Sequence, residues 1–362
     1  MRVHRVTLIP GDGVGPELSE ATRQVLEATG VRFSWDVQEA GESAMDRLGT
    51  PLPEQVLDSI RTNGVALKGP IATPPSSGIR SVNVALRVAL DLYACVRPSR
   101  TFPGARSRYE DVDVVVVREN TEGMYTGIEF EQGEPATAEL IAFIERTTGQ
   151  RIRDDAGISI KTISTGASER IARFAFKYAR SHGRSKVTAG HKANIMKFSD
   201  GVFLETARRV ASEYPDIAFE DRIIDALAMH LVQRPEEFDV LLLPNLYGDI
   251  VSDLCAGLVG GLGIAPGVNI GDRCAVFEAT HGTAPKYAGR NLANPMAMML
   301  SGVMMLRHLD EVDAADRLER AITEVIAEGR SVTYDLKPTR DDPSAVGTSE
   351  VAEAIVAKVV SR

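Results

Sequence analysis

Two carboxylates four positions apart, Asp249 and Asp253, lie in the stretch Leu243-Pro244-Asn245-Leu246-Tyr247-Gly248-Asp249-Ile250-Val251-Ser252-Asp253. On a helix starting near Gly248 this spacing puts both on one face, one turn apart. Hard divalent cations take oxygen ligands of this kind, and Mg²⁺ usually binds one or two carboxylates with water and substrate filling the rest. The competing reading is an N-cap at Asp249 and a solvated helix residue at Asp253. A second group is cationic. Arg87, Arg97 and Arg118 sit at or near the ends of elements, and the last two flank apolar segments. A desolvated guanidinium needs an anion, and its planar fork matches a carboxylate. With Ser81 and Asn83 nearby, the three suit a small tricarboxylate; three unrelated structural ion pairs are the alternative. Tyr125 and Lys192 are isolated polar groups after strands, each a proton donor or simply a satisfied hydrogen-bonding residue. His191 and His281 are more often structural than catalytic.

These residues need a scaffold, and hydrophobic patterning supplies one. Short β-rich runs at Val3–Ile9, Phe33–Glu39, Val65–Leu67, Val112–Val117, Val187–Ala189, Phe219–Asp225, Phe238–Leu243 and Ala275–Glu278 alternate with helical patterns. The helical patterns cover Leu18–Ala28, Pro53–Thr62, Ser81–Leu90, Ala167–Ser181, Val202–Tyr214, Ala226–Arg234, Met296–His308 and Ala314–Glu328, and a last helix carries a Thr348 N-cap. Such alternation predicts an α/β fold with a largely parallel sheet. Between Thr121 and about Ser164 the periodicity breaks down, which marks an insertion, an arm or flap. Gly11-x-Gly13-x-Gly15 follows the first strand, but it is not the GxGxxG fingerprint and Pro16 interrupts it, so a tight turn is preferred over a Rossmann loop. Small residues between Leu254 and Gly263 indicate close packing on that segment.

At 362 residues the chain exceeds one ordinary core, so two domains are expected. A net charge of −9 argues against nucleic-acid binding by broad phosphate neutralisation. No apolar run approaches the ~20 residues of a membrane span. The N-terminus runs straight into a strand without a signal-peptide pattern, and the expected location is the cytoplasm. Cys95, Cys255 and Cys274 lack metal or redox spacing and read as buried free thiols.

Together the motifs identify a family. The chain resembles the isocitrate/isopropylmalate dehydrogenases from end to end, most of all the homodimeric bacterial members that act on isocitrate. The resemblance is carried by Ile9-Pro10-Gly11-Asp12-Gly13, Asp91-Leu92-Tyr93-Ala94, Arg118-Glu119-Asn120-Thr121-Glu122-Gly123-Met124-Tyr125, His191-Lys192-Ala193-Asn194-Ile195-Met196-Lys197, Asn245 to Asp253, and His281-Gly282-Thr283-Ala284-Pro285. It implies an isopropylmalate-dehydrogenase-like two-domain fold with a largely parallel central sheet, not a classical Rossmann domain. Residues 1–92 and 261–362 would form the large, cofactor-side domain, 93–122 and 166–260 the small, dimerisation domain, and 123–165 an arm. It further implies that Arg87, Arg97 and Arg118 grip substrate carboxylates. Asp249 and Asp253 would hold Mg²⁺ or Mn²⁺ with Asp225 from a second copy, and Tyr125 and the second copy's Lys192 would handle protons. The implied activity is oxidative decarboxylation of isocitrate to 2-oxoglutarate and CO₂ with reduction of NAD or NADP.

Within the family, the start of the Ser81 helix reads the substrate's variable group. Ser81-Val82-Asn83 is polar where isopropylmalate enzymes are apolar, and a hydroxyl and an amide suit the γ-carboxylate of isocitrate. Homoisocitrate is the alternative substrate, and a non-catalytic regulatory subunit the alternative of another class. The resemblance places the dinucleotide at Thr73, His281, Gly282, Thr283, Ala284, Pro285, Lys286, Tyr287, Asn294, Tyr334 and Asp335. Lys286-Tyr287 with Tyr334 follows the NADP pattern. Pro338 and Ala293 do not, with Lys337 or Arg340 as substitute cations, and the expectation leans to NADP.

Overall fold

The structure, a computed structural model, describes residues 2–72 and 81–361; the cofactor expectation at Thr73 lies outside them. In chain order the elements are β1 (Val3–Ile9), α1 (Gly15–Ala28), β2 (Arg32–Val37), α2 (Glu42–Leu48), α3 (Glu54–Asn63), β3 (Val65–Lys68), α4 (Val82–Ala89), β4 (Ala94–Arg100) and β5 (Asp113–Glu119). β6 (Glu129–Phe130), α5 (Pro135–Thr148), β7 (Ile158–Ser159), α6 (Thr165–Ser181), β8 (Lys186–His191), α7 (Asp200–Ala211), β9 (Ala218–Ile223) and α8 (Ile224–Gln233) follow. The remainder is β10 (Val240–Leu243), α9 (Asn245–Val259), β11 (Pro266–Ile270), β12 (Ala275–Ala279), α10 (Met296–His308), α11 (Val312–Glu328) and α12 (Thr348–Val360).

One sheet carries nearly all of this, in the order β2-β1-β3-β12-β11-β4-β5-β10-β8-β9. It is parallel on both flanks, while β11 pairs antiparallel with β12 and β4, and β4 with β5. Strands covered by helices on both faces read as continuous apolar runs, as in β5 and β10: Val114 to Val117 and Val240 to Leu243 are wholly buried. The three cysteines are free and buried, as their spacing suggests, and burial pushes the Cys255 thiol up to about 12. No helix among the described residues is long and apolar enough to cross a membrane.

Several boundaries differ from the sequence expectations, each for a local reason. Helix α1 begins at Gly15, because Pro16 occupies a first-turn position, where its missing N–H is no loss. Helix α9 begins at Asn245, not near Gly248, since Pro244 supplies its extended entry. Asp225 lies in the first turn of α8, not at the end of a strand. Thr348 is the first residue of α12 and not its cap; Gly347 precedes it, and the Thr348 hydroxyl donates to the Ala293 carbonyl at 2.6 Å. The aperiodic insertion contains α5, which buries only Thr137 and Ile141, too little for a stripe in the sequence. Strands β4 and β11 escaped notice because Arg97, Pro98, Gly267 and Asn269 break their apolar patterns.

The Gly11-x-Gly13-x-Gly15 segment is the tight turn expected. Gly13 has a φ of +60°, and a side chain there would meet the Thr283 carbonyl at 2.1 Å. The turn also receives the 281–285 loop directly, with the Val14 N–H donating to the same carbonyl at 3.0 Å.

Candidate active site

The site assembles where strand ends meet α4 and α9, the usual position for ligands in open α/β sheets. Alternation along β4 sends Arg97 toward α9, and Arg118 occupies the corresponding end of β5, opposite Cys95. Arg87 reaches the same place from the last turn of α4. All three arginines are buried, Arg118 to 1% exposure.

Their partners form two groups on one cleft, one around Asp249 and one around Glu278. The Arg118 Nε and Nη2 donate to Asn245 Oδ1 at 3.1 and 2.7 Å, and its Nη1 donates to Asp249. Gly248 makes this possible, since a Cβ there would come within 2.6 Å of Arg118 Cβ. Arg97 donates to Ser252 Oγ at 2.6 Å, and its Nη1 lies 3.4 Å from one carboxylate oxygen of Asp249 and 3.4 Å from one of Asp253. Arg87 donates to Glu278 at 2.9 Å. The Tyr125 hydroxyl donates to Asp249, and its ring lies 4.9 Å from the Arg118 guanidinium carbon. The arginines are therefore neither independent structural pairs nor free cations. They converge on a cleft of about 210 Å³ that Ser81, Asn83 and His281 also line.

Two members of the group around Arg87 were absent from the sequence expectations. Glu278 at the end of β12 stands beside Lys68 at the end of β3 in register. It forms ion pairs with Lys68 at 2.5 Å and Arg87 at 2.9 Å and accepts from Asn269 at 2.7 Å. The sequence signal was a lone charge ending each of two apolar strands, Val65-Ala66-Leu67-Lys68 and Ala275-Val276-Phe277-Glu278.

The electrostatics divide the two aspartates. Burial raises the Asp249 carboxyl, but Arg118, the Tyr125 hydrogen bond and Arg97 outweigh it and hold the group below the usual carboxylate range. Burial and the neighbouring Asp249 push Asp253 up despite Arg97. Burial and the bond to Asp249 push the Tyr125 phenol up, so it keeps its proton at neutral pH.

Four buried polar atoms around the cleft have no hydrogen-bond partner among the described residues: Asn83 Oδ1, Arg87 Nε, Thr280 Oγ1 and His281 Nε2. Unpaired buried polar atoms are costly, and their convergence marks a polar ligand site. A divalent cation fits the same place. Asp249 and Asp253 offer hard oxygen donors on one face of α9, and Arg97 sits between them as a substitute cation. Among the described residues the donor set within one chain stops at these two. No group of three or more metal-ligating side chains occurs among the described residues. Asp225 pairs instead with Lys192, on a partly exposed surface.

The cofactor-side residues are also placed. Loop 281–284 leads into a short turn at Pro285–Tyr287, with Ala284 at a φ of +40°. Asn294 donates to Asp335 at 2.9 Å, and the Tyr287 and Tyr334 rings stack at 6.0 Å. Of the two substitute cations, Lys337 is buried and donates to the carbonyls of Gly329 and Arg330, so it is a structural residue. Arg340 lies over the Tyr334 ring, 5.5 Å from its centroid.

Comparison with known proteins agrees with this geometry. A family model described as isocitrate/isopropylmalate dehydrogenase matches residues 5–355. The probable mitochondrial isocitrate dehydrogenase [NAD] subunit alpha of Drosophila melanogaster is 47% identical, over 92% of this chain and 83% of its own. The chloroplastic 3-isopropylmalate dehydrogenase of Solanum tuberosum is 48% identical, over 90% and 86%. A crystal structure of isocitrate dehydrogenase from Methylococcus capsulatus shares 52% identity and a TM-score of 0.90, with 99% of each chain covered.

Proposed function

This chain belongs to the isocitrate/isopropylmalate dehydrogenase family, and on that premise we propose that it oxidatively decarboxylates isocitrate to 2-oxoglutarate and CO₂ while reducing a nicotinamide dinucleotide. Relatives of similar identity carry names for both isocitrate and isopropylmalate enzymes, so the choice rests on the site. The observation that carries it is the half-buried Asn83 amide, which lines the cleft near Ser81 at the start of α4 and brings an N–H donor to it. A γ-carboxylate accepts from such an amide N–H, whereas an isopropyl group offers it no acceptor.

The chain's own residues divide the work. Arg97, Arg118 and Arg87 orient the substrate carboxylates, at the cost of loosening their present bonds to Asp249 and Glu278. Lys68 and Asn269 hold Glu278, and through it the Arg87 guanidinium. Tyr125, its proton retained, returns a proton to the carbon from which CO₂ departs. Asp249 and Asp253 would hold Mg²⁺ or Mn²⁺, which would supply Lewis acidity, and a bound nicotinamide dinucleotide would supply the hydride acceptor.

The remaining parts come from a second copy of the chain, whose Asp225 and Lys192 complete the metal set and remove the hydroxyl proton. Two features support this. Among the described residues no third metal-ligating side chain joins Asp249 and Asp253. Met229 and Val232 of α8 and Ile250 of α9, beside Asp225 and Asp249, are large apolar side chains left 48%, 45% and 62% exposed. In this reading the cleft lies between a large domain built from both chain ends and a small domain built from the middle.

The cofactor's ribose end has two readings. The NAD in the names of relatives such as the Drosophila subunit goes against the lean to NADP. Arg340 beside Tyr334 and Tyr287 favours NADP, because it supplies the cation that a 2′-phosphate needs. Steady-state kinetics with isocitrate, homoisocitrate and isopropylmalate, each against NAD and NADP, test the whole assignment. In Arg340→Ala, kcat/KM with NADP falls about tenfold relative to NAD; an unchanged ratio removes Arg340 from cofactor selection. Isopropylmalate turnover equal to or above that of isocitrate would overturn the substrate.

A further inference from the structure

Lys192 stands outside the cleft of its own chain, so something must hold it in the pose a second copy needs. Its backbone N–H donates to Asp200 Oδ2 at 2.7 Å. Asp200 opens α7 and is fully buried, at 0% exposure. Its other oxygen is paired with the ammonium of Lys161, which lies just after β7, on the last stretch of the insertion before α6. Lys161 is itself held over the Tyr247 ring at 4.5 Å and lies 3.3 Å from the Tyr247 hydroxyl, on the first turn of α9. Three segments thus meet at one buried ion pair: the end of the arm, the loop that carries Lys192, and the helix that carries Asp249 and Asp253.

A helix-dipole acid would explain a carboxylate in the first turn of α7, but a solvated one would serve that purpose. Burying it costs several kcal/mol unless both oxygens are paired. Here one oxygen is spent on the ammonium of the arm and the other on the Lys192 peptide. The neighbouring bond from Ala193 N–H to His191 Nδ1, at 3.1 Å, pins the loop on its other side. The Lys192 side chain is left to reach only outward, to Asp225.

We propose that Asp200 is a positioning residue that sets the pose of Lys192, and that Lys161 locks it there, so that the arm is mechanically tied to the proton-handling step. This rests on the assignment of Lys192 to that step. A misplacement of about 1 Å in a reacting group costs up to about 100-fold in rate, so the lock should act on turnover and not on substrate capture.

Single charge deletions would leave a buried ion unpaired and endanger the fold, so the test uses paired deletions. Lys161→Met/Asp200→Asn removes both charges but keeps an amide oxygen for the Lys192 N–H. Lys161→Met/Asp200→Leu removes both charges and the acceptor. Both variants should melt within about 5 °C of each other. In the leucine variant kcat should fall about 10- to 100-fold, with the isocitrate KM and the Mn²⁺ dissociation constant within about threefold of the parent. The asparagine variant should keep kcat within about threefold of the parent. Lys192→Ala is the control for the underlying assignment. Full activity in Lys192→Ala would overturn that assignment and this inference with it. A poor Lys192→Ala enzyme beside a leucine variant with parental kcat would overturn the positioning role alone. Equal loss of kcat in the asparagine and leucine variants would show that the acceptor for Lys192 is not what matters.

Discussion

Replacing Asn83 with leucine isolates the substrate assignment. The side chain lies on the first turn of α4 and lines the cleft that also holds Arg87, Arg97 and Arg118. Among the described residues its amide oxygen has no hydrogen-bond partner, and its amide N–H is the group that can donate to a substrate carboxylate. Leucine is also the better helix former by a few tenths of a kcal/mol, so the melting temperature should hold or rise slightly. Function should move in the other direction. A hydrogen bond to a charged group is worth about 1.5–3 kcal/mol. At about 1.4 kcal/mol per factor of ten, Asn83→Leu lowers kcat/KM for isocitrate about 10- to 150-fold. For isopropylmalate the same change replaces an unsatisfied amide with an apolar contact, worth about 1 kcal/mol or more in its favour. Initial rates of dinucleotide reduction with both acids give the two ratios. An equal fall for both substrates would refute the reasoning, since it would show that Asn83 shapes the cleft without reading the γ-position.

Three further outcomes follow from the same geometry. Asp249→Asn takes a charge from both the cation site and Arg118, so the Mn²⁺ dissociation constant should rise about tenfold or more; normal turnover at limiting Mn²⁺ would remove Asp249 from the metal site. Gly248→Ala places a methyl group 2.5 Å from Arg118 Cγ, so the isocitrate KM should rise and stability fall by about 1–3 kcal/mol, measured by kinetics and denaturant titration. Glu278 is buried, yet Lys68 and Arg87 overcome that burial and hold it well below its ordinary 4.5. A depressed carboxylate contributes stability that is complete above about pH 4.5 and is lost as pH falls toward the lower folded value. Acid melting curves should show that slope in the parent and a shallower one in Glu278→Gln; parallel curves would mean that the ion pairs add nothing.

The expected sheet and most helices were legible because burial on both faces leaves long apolar runs, as at Val114 to Val117, and amphipathic helices leave a stripe, as in α6. What escaped notice had no such mark. In β4 and β11, Arg97 and Ser99, and Gly267 and Asn269, fall on alternate positions, which erases an apolar run while preserving a strand. α5 buries too little to show a stripe. For the site, Asp249 and Asp253 were visible because a four-residue spacing on a helix is itself a geometry. Arg87, Arg97 and Arg118 were visible as charges at the ends of apolar elements, although their common destination was not. Glu278 was missed because its meaning depends on Lys68 and Arg87, 210 and 191 positions away along the chain.

By itself, then, the sequence determined the class of fold, the family and the hard-oxygen pair on α9, because these rest on local spacing and on motifs that are contiguous in the chain. Tertiary structure decided what the charges do. It brought three arginines and two aspartates to one place, set Asp249 below and Asp253 above the ordinary carboxylate value, and gave Lys337 to backbone carbonyls while leaving Arg340 beside Tyr334. It also placed Lys192 and Asp225 together, outside the cleft of their own chain. The physical reason is that Coulomb energy and desolvation depend on distance and burial in space, and neither can be read from separation along the chain.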